Sequence, residues 1–445
     1  MIKNFFNFCT AFMVFLFSFS LCTLCHSNPF QASSVKKNIN YISSDQFKGR
    51  ISGSFENEEI AFYIKDQFEK IGLTSYKGCY FQEFTANAPV KINNQLPCLI
   101  VTDKNGKVLK SYDYSKDFKE DLLNFRANYV SFNSTNMKSY AGDAIVVKEK
   151  NNSFLFYVPE NNSFSFRSSF NCNSNYSMYI QITKITLESI QNYLQAGYIV
   201  NCYIPYEIKK VQLKNVTGCI EGKNKNMPPI IIGAHFDHIG SDFLDNSYNG
   251  ALDNSSGTAF ILELAKYIKN LPKPERTIVF VGFNAEEFGC IGSKNFVEKF
   301  EKDLKGATVY NFDMIGSDNS VPLIIMGGKK DSKNTSLIKS IANECISQHI
   351  KYNYLFEDSS DHEEFRKHSI DAVTFCDGDM TRIHTVNDKS VFISNLSIER
   401  CFKVASKEII NKTHNECLVI LYCKPLLIYS FILFMILSLI RKAII

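Results

Sequence analysis

Two histidines and an aspartate occur within the eight residues GAHFDHIG, at positions 233–240, directly after the apolar run PPIII. A buried strand usually ends in turn residues such as Gly, Asn or Pro, and not in imidazole and carboxylate groups. Histidine nitrogens and aspartate oxygens are ligands of zinc. A short His-x-Asp pattern also arises by chance at a solvated strand end, so it indicates a metal site only if other segments supply partners.

Side chains of the same types follow several later segments of the chain. They are Asp253 in GALDNSSG, Glu286 and Glu287 in FNAEEFG, Asp313 in NFDMIG, and His384 and Asp388 in IHTVND. Carboxylates that gather in one crevice repel each other strongly unless a cation lies among them. Imidazole and carboxylate ligands without thiolate favour zinc, and manganese or cobalt stay open on ligand type alone.

The number of candidate ligands favours two metal ions over one. Five residues are candidates: His235, Asp253, Glu287, Asp313 and His384. A single catalytic zinc typically takes three protein ligands. If Asp253 bridges, each ion keeps one histidine and one further carboxylate, an arrangement that can activate a water molecule for hydrolysis.

The elements that carry these residues alternate between strand and helix from residue 216 onward. Apolar runs such as PPIIIGAH and RTIVFVGFN alternate with amphipathic stretches such as SSGTAFILELAKYIKN. Continuous apolar strands are typical of a sheet that is covered on both faces. We therefore predict an α/β fold with a mixed, mostly parallel central sheet and helices on both faces. Such sheets bind ligands at strand ends, where the candidate residues occur.

Residues 78–215 have a different pattern, with short β-branched or aromatic runs between Asn- and Ser-rich turns. One helix is predicted among them, at LESIQNYLQAGY. This pattern predicts a β-rich domain inserted into the α/β domain. Upstream of it, FENEEIAFYIKDQFEKIGL has helical spacing and predicts a helix that ends at Gly72.

Charge and cysteine content exclude some classes of function. The net charge of +4 is spread along the chain without a basic tract, so a nucleic-acid partner is not indicated. Nine cysteines lie between the two ends of the chain without a Cys-x-x-Cys pair among them, so a thiolate zinc site is not indicated. Disulfide pairing and oligomeric state stay open.

Both ends of the chain are apolar. Residues 1–27 have an early lysine and a long uncharged run, which predicts a signal peptide cleaved after Ser27, with an uncleaved signal anchor as the alternative. Residues 417–440 precede Arg441 and Lys442 and predict a C-terminal transmembrane anchor. The body of the protein is then expected in the secretory route, outside the cytoplasm, and anchored to a membrane.

Five motifs, in their order, carry a family resemblance. GAHFDHIG, GALDNSSG, FNAEEFGCIGS, NFDMIG and IHTVND resemble the zinc peptidases of family M28, and SSDQFKGRISGS resembles the N-terminal stretch of secreted bacterial members. The resemblance divides the chain into a first part of the peptidase domain at 33–89 and a catalytic domain at 212–412. Between them lies the β-rich insertion, at 90–211, whose end resembles protease-associated domains.

The resemblance also implies roles for the candidate residues. His235 and Asp313 would hold one zinc ion, His384 and Glu287 the other, and Asp253 would bridge them, giving two zinc ions per chain. Glu286 would be the general base, and Asp237 would accept the second ring N–H of His235. Further residues of the pocket or its support would be Asp361, His362 and Asp388. His238 is expected to be structural or to support a ligand.

The function implied is that of a two-zinc metallo-exopeptidase acting on peptides, with an aminopeptidase favoured. A carboxypeptidase or dipeptidase of the same family is an alternative. Glutaminyl cyclisation on the same fold is another, and so is a non-catalytic receptor-like protein. The complete set of five ligands speaks against the last two.

Overall fold

The apolar runs downstream of residue 205 form the centre of a large mixed sheet in the computed structural model, which describes residues 2–26, 29–121, 124, 126–318, 321–414 and 423–444. The strands, in chain order, are β1 (Phe81–Lys91), β2 (Cys98–Thr102), β3 (Val108–Tyr112), β4 (Phe118–Glu120), β5 (Tyr129–Phe132), β6 (Met137–Ala141), β7 (Ala144–Glu149), β8 (Asn152–Tyr157), β9 (Met178–Ile182), β10 (Ile199–Tyr203), β11 (Tyr206–Ile220), β12 (Ile230–His235), β13 (Ile278–Phe283), β14 (Thr308–Phe312), β15 (Leu323–Gly327), β16 (Tyr352–Phe356) and β17 (Asp371–Asp377).

The large sheet has eight strands in the order β1-β11-β13-β12-β14-β17-β15-β16. The central strands β13, β12, β14 and β17 run parallel, whereas β1, β11 and the β15–β17 pairing are antiparallel. The predicted mixed α/β sheet is therefore confirmed. Because the four central strands are parallel, their carboxyl ends meet at one edge of the sheet.

Helices cover both faces of this sheet. The described helices are α1 (Ile2–His26), α2 (Ala32–Ile42), α3 (Phe55–Ile71), α4 (Lys184–Gln195), α5 (Ser256–Lys269), α6 (Ile291–Phe300), α7 (Ser336–Ser347), α8 (His362–Lys367), α9 (Asn395–Thr413) and α10 (Cys423–Ile444). On β12, Ile230 and Ile232 pack in the core formed with α2, α3, α5, α7 and α9. Ile231 points to the other face, where it packs in a cluster with residues of α6 and α8. The period-2 alternation of side chains thus explains why every residue of β12 is buried.

The helix predicted to end at Gly72 is α3. The Ser54 hydroxyl accepts a hydrogen bond from the main-chain nitrogen of Asn57 at its start, and Gly72 has a left-handed φ of 83° at its end. These are the side-chain cap and the glycine stop that define helix termini. The helix presents Ile60, Ile64 and Phe68 to the main core.

The β-rich insertion leaves the large sheet through β1 and returns through β11. These two strands pair in antiparallel register from Phe81 opposite Val216 to Lys91 opposite Tyr206. Residues 90 and 211, the predicted limits of the insertion, therefore both lie inside this ladder. The insertion contains a four-stranded sheet and a five-stranded sheet. Its Phe118 and Phe156 pack in a hydrophobic cluster that also includes Ala285 and Phe288 of the catalytic domain.

The two ends of the chain are helical. The ring of Phe17 in α1 lies 5.9 Å from the ring of Phe431 in α10. Among the described residues, no helix is long and apolar enough to cross a membrane. The predicted anchor at 417–440 is thus not supported: its uncharged run, 425–440, spans only about 24 Å as a helix, against a hydrocarbon core of about 30 Å. Residues 417–422 and the predicted cleavage site after Ser27 lie outside the described residues, and the signal peptide at 1–27 stays a prediction.

Candidate metal centre

The carboxyl edge of the central strands brings the candidate residues together. His235 is the last residue of β12, and Asp313 directly follows β14. Glu286 and Glu287 lie in the turn after β13, and His384 lies in the loop after β17. Asp253 comes from the turn at 251–255 that precedes α5.

A first group of possible metal ligands consists of His235, Asp253 and Asp313. Nε2 of His235 lies 3.5 Å from Oδ1 of Asp253 and 3.4 Å from Oδ1 of Asp313. The other oxygen of Asp313 accepts a hydrogen bond of 2.7 Å from the Ser360 hydroxyl. Oδ1 of Asp313 is buried and has no hydrogen-bond partner among the described residues, so this atom is oriented for a ligand.

A second group consists of His238, Asp253, Glu287 and His384. Nε2 of His384 lies 3.2 Å from Oδ2 of Asp253 and 3.2 Å from Oε2 of Glu287. Asp253 therefore presents one carboxylate oxygen to each group. This is the geometry that a bridging carboxylate requires.

His238 is a member of this second group that the sequence did not mark as a ligand. Its Nδ1 lies 2.9 Å from Oε1 of Glu287 and 3.8 Å from Oδ2 of Asp253. The main chain of Gly250 lies against its ring: a Cβ at Gly250 would come within 2.6 Å of the ring and 2.2 Å of the Asp253 carbonyl oxygen. Glycine is thus required there. His238 lies in GAHFDHIG beyond the end of β12, so the alternation of the strand could not predict where its side chain points.

The electrostatics of the two groups fit a bound cation. Burial lowers the pKa of His235, but the carboxylates of Asp313 and Glu286 outweigh this effect and hold that pKa well above its usual value. Burial likewise lowers the pKa of His384, and Glu287 and Asp253 raise it well above normal. The cluster therefore attracts positive charge, as a proton or as a divalent ion. Nitrogen and oxygen donors without a thiolate suit zinc.

Glu286 and Glu287 point in different directions. The Glu287 side chain is 2% exposed and faces His238 and His384, whereas the Glu286 side chain is 15% exposed. Oε2 of Glu286 lies 3.9 Å from Nε2 of His235. Burial raises the pKa of Glu286 well above its usual value. Burial also raises the pKa of Glu287, but His384 and His238 lower it well below normal.

Asp237 holds the turn that carries both glutamates. Its carboxylate accepts hydrogen bonds from the main-chain nitrogens of Glu286, at 3.1 Å, and Glu287, at 3.3 Å, and from the Ser52 hydroxyl at 3.0 Å. Its Oδ1 lies 3.6 Å from Nδ1 of His235, which is longer than a normal hydrogen bond. In this structure Asp237 thus positions the glutamate turn more tightly than it positions His235.

Asp388 supports the turn that carries Asp253. Its carboxylate accepts main-chain hydrogen bonds from Leu252, at 2.9 Å, and from Asp253, at 3.0 Å. Its carbonyl oxygen accepts a further one from Ala251 at 3.3 Å. The sequence placed Asp388 near the site, but it could not show which ligand Asp388 supports.

Asp361 and His362 have different surroundings although they are neighbours. Asp361 is fully buried, its oxygens have no hydrogen-bond partner among the described residues, and burial raises its pKa to about 7. In contrast, Nε2 of His362 lies 2.9 Å from the Glu357 carbonyl oxygen, and Nδ1 lies 2.8 Å from the Thr374 hydroxyl. With both ring nitrogens engaged in this way, the structure places His362 as a link between the 357 loop and β17.

Arg50 is a further supporting residue that the sequence analysis did not single out. It is fully buried, and its guanidinium donates to the carbonyl oxygens of Phe236, Asn249, Gly250 and Asp253. Phe236 directly follows His235 in the chain, and the other three carbonyls belong to the segment that leads to Asp253. The only hint in the sequence is an arginine between glycine and isoleucine in a short loop, KGRISGS.

Comparison with known proteins identifies the family domain. Residues 215–409 match the model of peptidase family M28. Aminopeptidase YwaD of Bacillus subtilis is 31% identical over 172 residues, which cover 37% of this chain and 36% of that protein. A glutamate carboxypeptidase 2 homolog of Caenorhabditis elegans is 38% identical over 122 residues, covering 26% of this chain and 15% of that protein. The chain thus spans about a third or less of these curated relatives.

Solved structures match over most of the chain. The aminopeptidase from Aneurinibacillus sp. strain AM-1 has a TM-score of 0.60 at 19% identity. The match covers 86% of this chain and 94% of that aminopeptidase chain. BSAP, a zinc aminopeptidase from Bacillus subtilis, has a TM-score of 0.58 at 18% identity. That match covers 87% of this chain and 97% of the BSAP chain. The chain therefore has the fold of these aminopeptidases. Its residues 215–409 are a domain of peptidase family M28.

Proposed function

We propose that this protein is a two-zinc exopeptidase that removes residues from the amino end of peptides. The observation that carries this proposal is the position of Asp253, whose two carboxylate oxygens face two different histidines at 3.5 and 3.2 Å. In a site for a single metal ion, the second oxygen of the carboxylate would not be expected to face a second group of possible ligands. The five candidate ligands, together with His238, fill two groups that share Asp253.

The chemistry follows from the groups around this centre. Bound zinc ions would lower the pKa of a water molecule and polarise the scissile carbonyl group. Glu286 is the stronger base of the two glutamates, since its pKa is raised by burial while the pKa of Glu287 is lowered by the histidines. Glu286 would accept the proton of the attacking water and pass it to the departing amine. Water and the peptide then yield a carboxylate and a free amine.

Limited access to the centre supports an enzyme that acts on chain ends. The side chains of Glu286, Asp313 and His384 are 15%, 12% and 11% exposed, and His235 is 1% exposed. An opening of this kind suits a flexible terminus better than the middle of a folded chain. The preference for the amino end rests on relatives such as YwaD, while the glutamate carboxypeptidase 2 homolog makes release from the carboxyl end the competing outcome.

We also infer export from the cytoplasm, on the sequence of residues 1–27 and on a relative named probable lipoprotein aminopeptidase LpqL, which is 41% identical over 92 residues. The amino-terminal residue of the mature protein, read by Edman degradation, tests this inference. A new amino terminus near residue 28 supports export with cleavage. An intact Met1 on all of the protein contradicts cleavage.

The decisive assay compares aminoacyl-fluorophores with their N-acetylated forms. We expect hydrolysis only when the amine is free, and we expect Glu286→Gln to lower kcat about 10²- to 10⁴-fold while zinc content stays unchanged. Glu301→Gln is the matched control, because Glu301 is 68% exposed and should keep full activity. Full activity in Glu286→Gln would contradict the proposed base. Release of carboxyl-terminal residues, or cyclisation of an amino-terminal glutamine, would replace the proposal with one of its alternatives.

A further inference from the structure

A segment of the β-rich insertion lies directly on the second metal group. We call residues 163–170 the strap. Phe166 forms a β-bridge with Thr385, and the main-chain nitrogen of Arg167 donates to the carbonyl oxygen of His384 at 3.0 Å. At the other end of the strap, the main-chain nitrogen of Phe170 donates to the carbonyl oxygen of Glu287 at 2.9 Å. The strap is thus hydrogen-bonded to the main chain of both His384 and Glu287.

The strap also contacts the ligand side chains themselves. The Ser169 hydroxyl donates a hydrogen bond of 2.6 Å to Oε2 of Glu287, the oxygen that faces His384. The carbonyl oxygen of Arg167 lies 3.1 Å from Nδ1 of His384. Because a carbonyl oxygen only accepts, Nδ1 must carry the proton there. When the ring is neutral, as metal binding requires, its lone pair is then on Nε2, which points at Asp253 and Glu287.

Packing fixes the ring of His384 in this orientation. The ring of Phe166 lies 5.7 Å from that of His384, at an interplanar angle of 21°. The ring of His238 also contacts that of His384, edge-on at 5.5 Å. A stacked ring and a hydrogen bond together leave the imidazole little freedom to turn.

The strap is held in place by a buried arginine. Arg167 is 1% exposed, and its guanidinium bonds Glu120 of the insertion at 2.6 Å. It also donates to the carbonyl oxygens of Ile239 and Ser241, at 3.2 and 3.1 Å, in the loop that follows His238. The strap is therefore fastened to the insertion and to the catalytic domain at the same point. Buried hydrogen bonds of this kind, made to two separate parts of the structure, fix the geometry of the strap closely.

We propose that the strap positions the second metal group, so that the inserted domain completes one of the two metal sites. This inference rests on the proposed function, because it requires that both groups bind metal. Ser169 and the carbonyl of Arg167 are positioning groups for Glu287 and His384. The first group is held by residues of the catalytic domain instead: Ser360 bonds Asp313, and the Thr258 hydroxyl bonds the carbonyl oxygen of His235 at 2.7 Å.

The test separates the two metal sites in the full-length protein. His235→Ala leaves the second group intact, and His384→Ala leaves the first. Adding Ser169→Ala to the His235→Ala protein should weaken zinc binding about 10- to 100-fold, as loss of a hydrogen bond to a metal ligand does. Adding Ser169→Ala to the His384→Ala protein should leave zinc affinity unchanged. Zinc affinity is measured by competition with a chromophoric chelator.

Two further variants distinguish loss of the Ser169 hydroxyl from a general disruption of the strap. Ser169→Thr keeps the hydroxyl and should restore binding. Ser168→Ala removes the neighbouring hydroxyl, which bonds Asp121 of the insertion, and should leave zinc affinity unchanged. The visible spectrum of the cobalt-substituted second site should shift in Ser169→Ala and return in Ser169→Thr.

The outcomes distinguish the two proposals. Equal zinc affinity with and without Ser169→Ala in the His235→Ala protein would overturn the role of the strap and leave the two-metal site standing. An equal loss in both backgrounds would overturn it as well, since the effect would then not be specific to the second site. A wild-type protein that binds no zinc would overturn the proposed function and this inference together.

Discussion

Oδ2 of Asp388 lies 3.0 Å from the main-chain nitrogen of Asp253, the residue whose carboxylate faces both metal groups. Asp388 also accepts a hydrogen bond from the nitrogen of Leu252, so one buried carboxylate holds two consecutive amides of this turn. Burial raises the pKa of Asp388, and the two amide hydrogen bonds oppose that rise. The orientation of the Asp253 carboxylate thus depends on a residue 135 positions later in the chain.

We expect Asp388→Ala to weaken zinc binding about 10- to 100-fold, because the turn that presents Asp253 would lose its acceptor. Asp388→Asn keeps one acceptor oxygen, and its effect should be smaller. Competition with a chelator measures both affinities, with Asp66→Ala as the control because the Asp66 side chain is 56% exposed. Unchanged zinc affinity in Asp388→Ala would show that the turn holds its shape without this carboxylate.

Arg50 should contribute to stability as well as to the site. A lysine in its place would carry one nitrogen where the guanidinium now reaches four carbonyl oxygens. Leaving buried carbonyls without a donor should lower the free energy of unfolding by about 3 kcal/mol in Arg50→Lys. Urea denaturation measures this value. Lys48→Ala is the control, because Lys48 is 61% exposed and should stay within about 0.5 kcal/mol of the wild type.

Zinc binding should release protons at neutral pH. Burial lowers the pKa of His235 and His384, but the surrounding carboxylates raise both pKa values well above normal, so we expect both rings to be protonated at neutral pH in the metal-free protein. A ligand nitrogen must lose its proton before it binds metal. Zinc affinity should therefore rise with pH up to these raised pKa values and fall as the pH is lowered.

Calorimetry in buffers of different ionisation enthalpy checks this prediction. The observed heat should vary with the buffer in proportion to the protons released. An identical heat in all buffers, with an affinity that is constant from about pH 6 to about pH 8, would mean that the histidines are already neutral before zinc binds.

The sequence predicted the large sheet well because its central strands are distinctive. The run ending at His235 is fully apolar, and the structure buries every residue of β12. Two elements of the same domain were not predicted. β16 (Tyr352–Phe356) is half-buried at the edge of the sheet, and α8 (His362–Lys367) has only six residues, so neither has a pattern strong enough to recognise.

The site could be predicted only in part, for a physical reason. Residues at strand ends and in turns can be assigned to one edge of a parallel sheet, and this placed His235, Asp253 and Asp313 together. Contacts from distant segments cannot be assigned in this way. Ser169 is 118 positions from Glu287, inside a region that the pattern showed only to be β-rich. His238 lies beyond the end of its strand, where the alternation of side chains no longer fixes a direction.

The number of zinc ions per chain tests the central claim most directly. Native mass spectrometry of the purified protein should find two zinc ions in the wild type, with one remaining in His235→Ala and one in His384→Ala. Two ions, each lost with its own histidine, are the result that the shared position of Asp253 predicts. A wild type that binds a single zinc ion, or none, would contradict the two-metal centre.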